Sequence, residues 1–152
     1  MTDIAVSDTT TSGTIDPVSS LIQLEVRLAE LVKLRYRAIV EFDNPADTNP
    51  GSYGHFNYKN PAYLLAHLYR LDHPANSLKG NPETLEMAIG LVDKWVEDWH
   101  AARKRGERTS TSEWPIYGTA SILEFLEKEI DDTRRADWSE FVENYCLYAI
   151  ER

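Results

Sequence analysis

The sequence predicts an all-α fold of antiparallel helical hairpins, about five helices in total, and three observations lead to that prediction. Apolar residues recur at three- and four-residue steps in five separate segments, the spacing of one face of a helix. Asp-Pro or Asn-Pro pairs at Asp16, Asn60 and Asn81 place a capping side chain before a proline that suits the first helical position. No segment alternates apolar and polar residues as a half-buried strand does. We therefore expect no sheet.

The first fifteen residues are rich in Thr, Ser and Asp, and we expect residues 1–15 to form a disordered tail before a helical domain over 16–152. The first helix is predicted to run from Pro17 to about Phe42. Its buried stripe is predicted to comprise Leu21, Leu24, Leu28, Leu31, Val32 and Ile39.

Two more helices follow in the middle of the chain. The second is predicted from Pro61 to about Leu71, and the third from Pro82 to roughly Ala102. The third helix is predicted to bury Leu85, Ala88, Ile89, Val92, Trp95, Val96 and Trp99.

The last two helices complete the prediction. The fourth is expected from about Ile116 to Ile130. The fifth is expected to start near Asp137, with Glu140 three residues later as an acidic form of the capping box. The fifth helix is predicted to bury Phe141, Val142, Tyr145, Tyr148 and Ala149.

The charge balance argues against nucleic acid as a partner. The chain has 25 acidic and 16 basic residues, a formal net charge of −9. Phosphate binding depends on Lys and Arg, which here cluster only in Arg103–Arg108 and at Arg134–Arg135. Both clusters are expected to be solvated.

Localisation is predicted to be cytoplasmic, without a membrane partner. No apolar run approaches the roughly 18 residues that a membrane span needs. The N-terminus lacks a basic start followed by an apolar stretch, so it does not read as a secretory signal. Cys146 is the single cysteine, so no internal disulfide can form.

The sequence predicts no metal and no cofactor. Its four histidines, His55, His67, His73 and His100, form no HExxH pattern, and there is no cysteine cluster. A Walker loop and a GxSxG motif are also absent. The 25 acidic residues do not single out the pair of carboxylates that a glycosidase needs.

Two loops combine aromatic rings with amide and carboxylate groups. We predict substrate-binding residues in both: Tyr53, His55, Asn57 and Tyr58 in the first, and Glu113, Trp114 and Tyr117 in the second. Flat rings beside hydrogen-bonding groups suit the apolar faces and hydroxyl rim of a sugar. The same residues also suit ordinary burial against a neighbouring helix, with each polar atom bonded to the backbone.

Three runs resemble the opening helical hairpins of (α/α)-toroid glycan-processing proteins such as the heparinase-like polysaccharide lyases. They are GHFNYKNPAYLLAHLYRL, NPETLEMAIGLVDKWVEDW and EWPIYGTASILEFLEKEIDDTRRADWSEFVENYCLYAI. The shared features are an Asn-Pro helix start with an aromatic residue before it, a long helix bearing tryptophans, and an aromatic-Pro-x-Tyr-Gly helix start. The resemblance covers about residues 50–150.

The resemblance implies a glycan-handling domain with an oligosaccharide ligand. A complete toroid has many more helices, so we expect either an N-terminal piece of one or a small relative. The ending YAIER, with no capping glycine, fits a truncated helix. Any catalysis would then be that of a polysaccharide lyase or glycoside hydrolase within a longer chain.

The chemistry that the resemblance implies is proton abstraction beside a uronate carboxylate, with Tyr or His as base and acid. Tyr53, His55, Asn57 and Tyr58 have the right side chains, but they do not align with the family's catalytic positions. Catalytic residues therefore stay unassigned, and these four are placed in the wall of a groove.

The alternative function belongs to another class. It is a non-catalytic helical module for protein–protein interaction or homodimerisation, which docks a partner or a second copy through an apolar face. This alternative predicts an exposed apolar patch of several hundred Å². The glycan-handling hypothesis instead requires Tyr53, His55, Trp114 and Tyr117 to meet on one concave surface.

Overall fold

A computed structural model describes residues 16–36, 59–106 and 114–150 of the chain. These ranges hold α1 (Pro17–Tyr36), α2 (Lys59–Arg70), α3 (Pro82–Lys104), α4 (Trp114–Phe125) and α5 (Asp132–Ile150). Within the described residues there are five helices and no strand, which confirms the all-α prediction. The toroid arrangement stays a prediction, and the predicted tail and the end of the first helix beyond Tyr36 lie outside these ranges.

Short polar side chains cap the N-terminal ends of α1 and α3. The Asp16 carboxylate accepts hydrogen bonds from the backbone N–H of Val18 at 3.2 Å and of Ser19 at 3.1 Å. Asn81 Oδ1 accepts one from Thr84 N–H at 3.0 Å at the start of α3. These bonds satisfy amides that have no partner inside the helix. The Ser19 side chain and backbone bonds also lower the pKa of Asp16 below its ordinary value.

The predicted start of the fifth helix is wrong by five residues. Helix α5 begins at Asp132, and Asp137 lies inside it. Asp131 takes the capping role, because its Oδ1 accepts a hydrogen bond from Arg134 N–H at 2.8 Å. That backbone bond is the largest of the contacts that lower the pKa of Asp131.

Two other helix ends differ from the predictions. Helix α2 begins at Lys59, before the predicted Pro61. Helix α4 ends at Phe125 and not at Ile130, because the chain tightens into a turn in which Glu129 N–H donates to Leu126 O at 2.9 Å. Leu126 and Ile130 are nevertheless buried, so the turn continues the apolar face of α4.

Helix α3 packs most extensively against α2 and also contacts α1 and α5. Of its predicted stripe, Ala88, Val92, Val96 and Trp99 are buried, while Leu85, Ile89 and Trp95 are partly buried against the core. The helix also buries Met87 and Leu91, which lie outside the predicted stripe. Helix α3 is therefore covered on more than one side.

The connection between α2 and α3 is held by one buried amide. Asn76 Nδ2 donates to Leu68 O at 2.6 Å and to Leu71 O at 2.8 Å, and its Oδ1 accepts from Leu78 N–H at 3.0 Å. Gly80 adopts a positive φ of 64°, and its N–H donates to Tyr69 O at 2.9 Å. These bonds bring the start of α3 beside the last turn of α2.

We predict that Asn76→Ala lowers the free energy of unfolding by about 3 kcal/mol, because three backbone groups, two of them in buried hydrogen bonds, lose their partner. Urea unfolding monitored by circular dichroism measures this change. Ser77→Ala, at the exposed neighbouring position, is the control and should stay within about 0.5 kcal/mol of the unmodified protein. Equal stability of the two variants would contradict the role given to Asn76.

Candidate functional site

Most of the residues predicted to bind substrate lie outside the described part of the chain. These are Tyr53, His55, Asn57, Tyr58 and Glu113.

The other two, Trp114 and Tyr117, lie in the first turns of α4, and their side chains are outside the description. The predicted convergence on one concave surface therefore stays a prediction.

A cleft lies between α3 and α5. It has a volume of about 530 Å³ and is lined by Asp93, Val96, Glu97, His100, Ala101, Lys104 and Asp137. Because α3 supplies six of these seven residues, one face of that helix forms most of the cleft.

The carboxylate at one end of the cleft is already engaged. Trp138 Nε1 donates to Asp93 Oδ1 at 2.8 Å, and Arg134 Nε donates to Asp93 Oδ2 at 3.0 Å. The Trp138 side chain is fully buried. This arrangement ties α5 to α3, and it corrects the expectation that Arg134 is simply solvated. Asp93 is therefore a structural anchor for α5.

The histidine of the cleft is packed against aromatic rings. The centroid of the His100 ring lies 5.1 Å from that of Trp99 and 6.5 Å from that of Phe141, and both pairs are edge-on. Trp99 and Phe141 in turn are 5.4 Å apart at an interplanar angle of 82°, the T-shaped geometry that aromatic pairs favour. The cleft is thus the rim of the aromatic contact between α3 and α5.

The described residues contain no group of three or more His, Cys, Asp or Glu side chains able to hold a metal ion. Nor is any helix among them both long and apolar enough to cross a membrane.

The unexpected feature is the outer side of α1. Five leucines form what we call the leucine face, and their exposed fractions range from 50% for Leu28 to 71% for Leu34: Leu21, Leu24, Leu28, Leu31 and Leu34. The predicted buried stripe of this helix is therefore wrong at Leu21, Leu24, Leu28 and Leu31. It is correct at Val32, and Ile39 lies outside the described residues.

A second set of apolar residues on α1 faces the protein. Ile22, Ala29 and Val32 are buried, and Val26 packs partly buried against the core. Ala29 is fully buried, and its small side chain allows the helix to lie close to its neighbours. The leucines point away because one helix cannot turn both sets of residues towards the same layer.

Two contacts with α3 fix the rotation of α1 about its own axis: an ion pair of Lys33 and the packing of Tyr36 against Gly90. Lys33 Nζ lies 3.1 Å from Glu83 Oε2 on α3 and 3.2 Å from Glu30 Oε1 on its own helix. A side chain at Gly90 would collide with the Tyr36 ring, so glycine lets the end of α1 lie against α3. These contacts keep the leucine face outward.

The titration of Lys33 reflects the same contact. Burial by itself would lower the pKa of Lys33, but the hydrogen bonds to Glu83 and Glu30 outweigh it and raise the pKa above the ordinary value. The lysine therefore stays charged at neutral pH and keeps its bond to α3.

Comparison with protein-family models, with curated proteins and with solved structures finds no match for this chain.

We predict that Asp93→Ala lowers the free energy of unfolding by about 2 kcal/mol, because the buried Trp138 N–H loses its acceptor and Arg134 loses its carboxylate. Thermal or urea unfolding measures the loss. Glu97→Ala removes an exposed carboxylate of the same cleft and should change stability by less than about 0.5 kcal/mol. If both variants unfold alike, Asp93 is not the anchor of α5.

Proposed function

We propose that this chain is a non-catalytic helical interaction module whose working surface is the leucine face of α1. The observation that carries the proposal is that all five leucines are at least half exposed on a helix whose other side is already buried. The ligand that suits such a surface is an amphipathic helix laid along it, with its own apolar side chains between the leucines.

The exposed apolar area of the five leucines is a source of binding free energy. Complete burial of a leucine side chain is worth about 1.5–3 kcal/mol, so five half-exposed leucines leave on the order of 5 kcal/mol unused. Single exposed leucines are normal on protein surfaces. A contiguous stripe of them is different, because large apolar patches mark interaction sites or aggregation hazards. The contiguous leucine stripe therefore favours a protein-binding surface.

Two polar side chains of the cleft, Asp93 and His100, have structural contacts. Asp93 bonds to Trp138 and Arg134, and His100 packs against Trp99. Each of these groups contributes to holding α5 on α3. A general base or nucleophile would instead need to be directed at a bound substrate.

The glycan-handling hypothesis stays a prediction that rests on the toroid resemblance. A direct test is the tryptophan fluorescence of the protein during titration with uronate-containing oligosaccharides. A saturable shift would support a sugar site, whereas an unchanged spectrum would remove the main reason for keeping this hypothesis.

We predict that Leu24→Glu/Leu28→Glu leaves the stability of the isolated chain unchanged to within about 0.5 kcal/mol, because an exposed side chain loses no internal contact. The measurement is urea unfolding at sub-micromolar concentration, where association is absent. Val32→Glu is the matched change on the buried side of the same helix and should be strongly destabilising.

A second readout reports the apolar surface itself. At the same dilution, the unmodified protein should enhance the fluorescence of anilinonaphthalene sulfonate more than the double variant does. Destabilisation of the double variant at high dilution would contradict the proposed function, because it would mean that the leucines are packed within their own chain.

A further inference from the structure

We propose that the helix docked on the leucine face is α1 of a second copy of this chain, so that two α1 helices form the centre of a symmetric dimer. This inference rests on the proposed function and names its partner. Three properties of α1 support a second copy over a different protein: the spacing of its leucines, its charge and the area it exposes.

The spacing is that of a self-complementary seam. Leu21, Leu24, Leu28 and Leu31 follow one another at steps of three, four and three residues, which are the a and d positions of a heptad. In such a seam each leucine fills a space between leucines of the facing helix. An identical helix supplies matching leucines at the same intervals, so the surface fits its own copy.

A two-fold axis between the helices makes the contact isologous, since the same patch is used on both chains. The assembly then closes at two chains and leaves no leucine face free to recruit a third.

The charge of α1 also permits a second copy to approach. The whole chain carries 25 acidic and 16 basic residues, so two copies repel each other over most of their surfaces. Helix α1 contains only two acidic residues, Glu25 and Glu30, against three basic ones, Arg27, Lys33 and Arg35. The acidic excess of the protein is therefore absent from this helix.

The exposed area matches a small specific interface. Five half-exposed leucines present on the order of 500 Å² of apolar surface. Two copies would bury at most about 1,000 Å² in total, which is near the lower limit for a stable protein–protein contact. We therefore expect a reversible dimer with a dissociation constant in roughly the micromolar range.

The experiment is sedimentation equilibrium of the complete chain at total concentrations from sub-micromolar to about 100 μM. The single-chain mass is 17.4 kDa. We expect the average mass to rise from one chain towards two across this range. Leu24→Glu/Leu28→Glu should keep the mass of one chain throughout, because each dimer would bury four carboxylates in its seam.

The matched control carries the same added charge away from the leucine face. Gln23→Glu/Ser139→Glu changes two exposed residues, one on the flank of α1 and one on α5. This variant should dimerise within about threefold of the unmodified protein. If the control also stays monomeric, added charge and not the seam governs association, and the inference is overturned.

The remaining outcomes separate the two proposals. A single-chain mass for the unmodified protein at every concentration, or a mass above two chains, overturns the symmetric dimer. The proposed function survives a monomeric result if the leucine variant is as stable as the unmodified chain at high dilution and binds less anilinonaphthalene sulfonate. Both proposals fail if that variant is destabilised at high dilution.

Discussion

Helix α1 is apolar on two sides, and a single layer of neighbouring helices can cover only one of them. The protein covers the side with Ile22, Ala29 and Val32 and leaves the leucines in water. The orientation of α1 is fixed near its C-terminal end, where Lys33 pairs with Glu83 and the Tyr36 ring lies against Gly90. Turning the leucines inwards would break both contacts. The exposure of the leucine face is therefore a consequence of how α1 packs against α2 and α3.

Helix α3, which contacts α1, is itself held by α5. The rings of Trp99 and Phe141 pack edge to face, and Asp93 accepts a hydrogen bond from buried Trp138. These contacts hold α5 on α3. Asp93 and His100 of the cleft are thereby engaged in structure. Among the described residues, the leucine face of α1 stays exposed.

The sequence predicted the helices well because periodicity and capping are local properties. Asn81 caps α3 as predicted, whereas Asp131 displaces Asp137 as the cap of α5. Arg134 bonds to both Asp131 and Asp93. The bond to Asp93 joins residues far apart in the chain, so the residues around Arg134 do not predict it. The prediction of which side of α1 is buried was wrong for a similar reason. Periodicity identifies two apolar stripes, and the larger leucines suggested the wrong one, although fully buried Ala29 suits the closer approach. The substrate-binding role of the predicted residues stays a prediction, because their side chains lie outside the described part of the chain: Tyr53, His55, Asn57, Tyr58, Glu113, Trp114 and Tyr117.

The most direct test of the α1 interface is the distance between two spin labels, one on each chain. Gln23→Cys in a Cys146→Ser background places a single label on the flank of α1, and Ser139→Cys in the same background places one on α5. Paired helices in contact lie about 8–10 Å apart, so pulsed dipolar spectroscopy should find a short distance for the Gln23 label. The α5 label should give a longer distance. The account is contradicted if the Gln23 label shows no intermolecular coupling, or if the α5 labels are the closer pair.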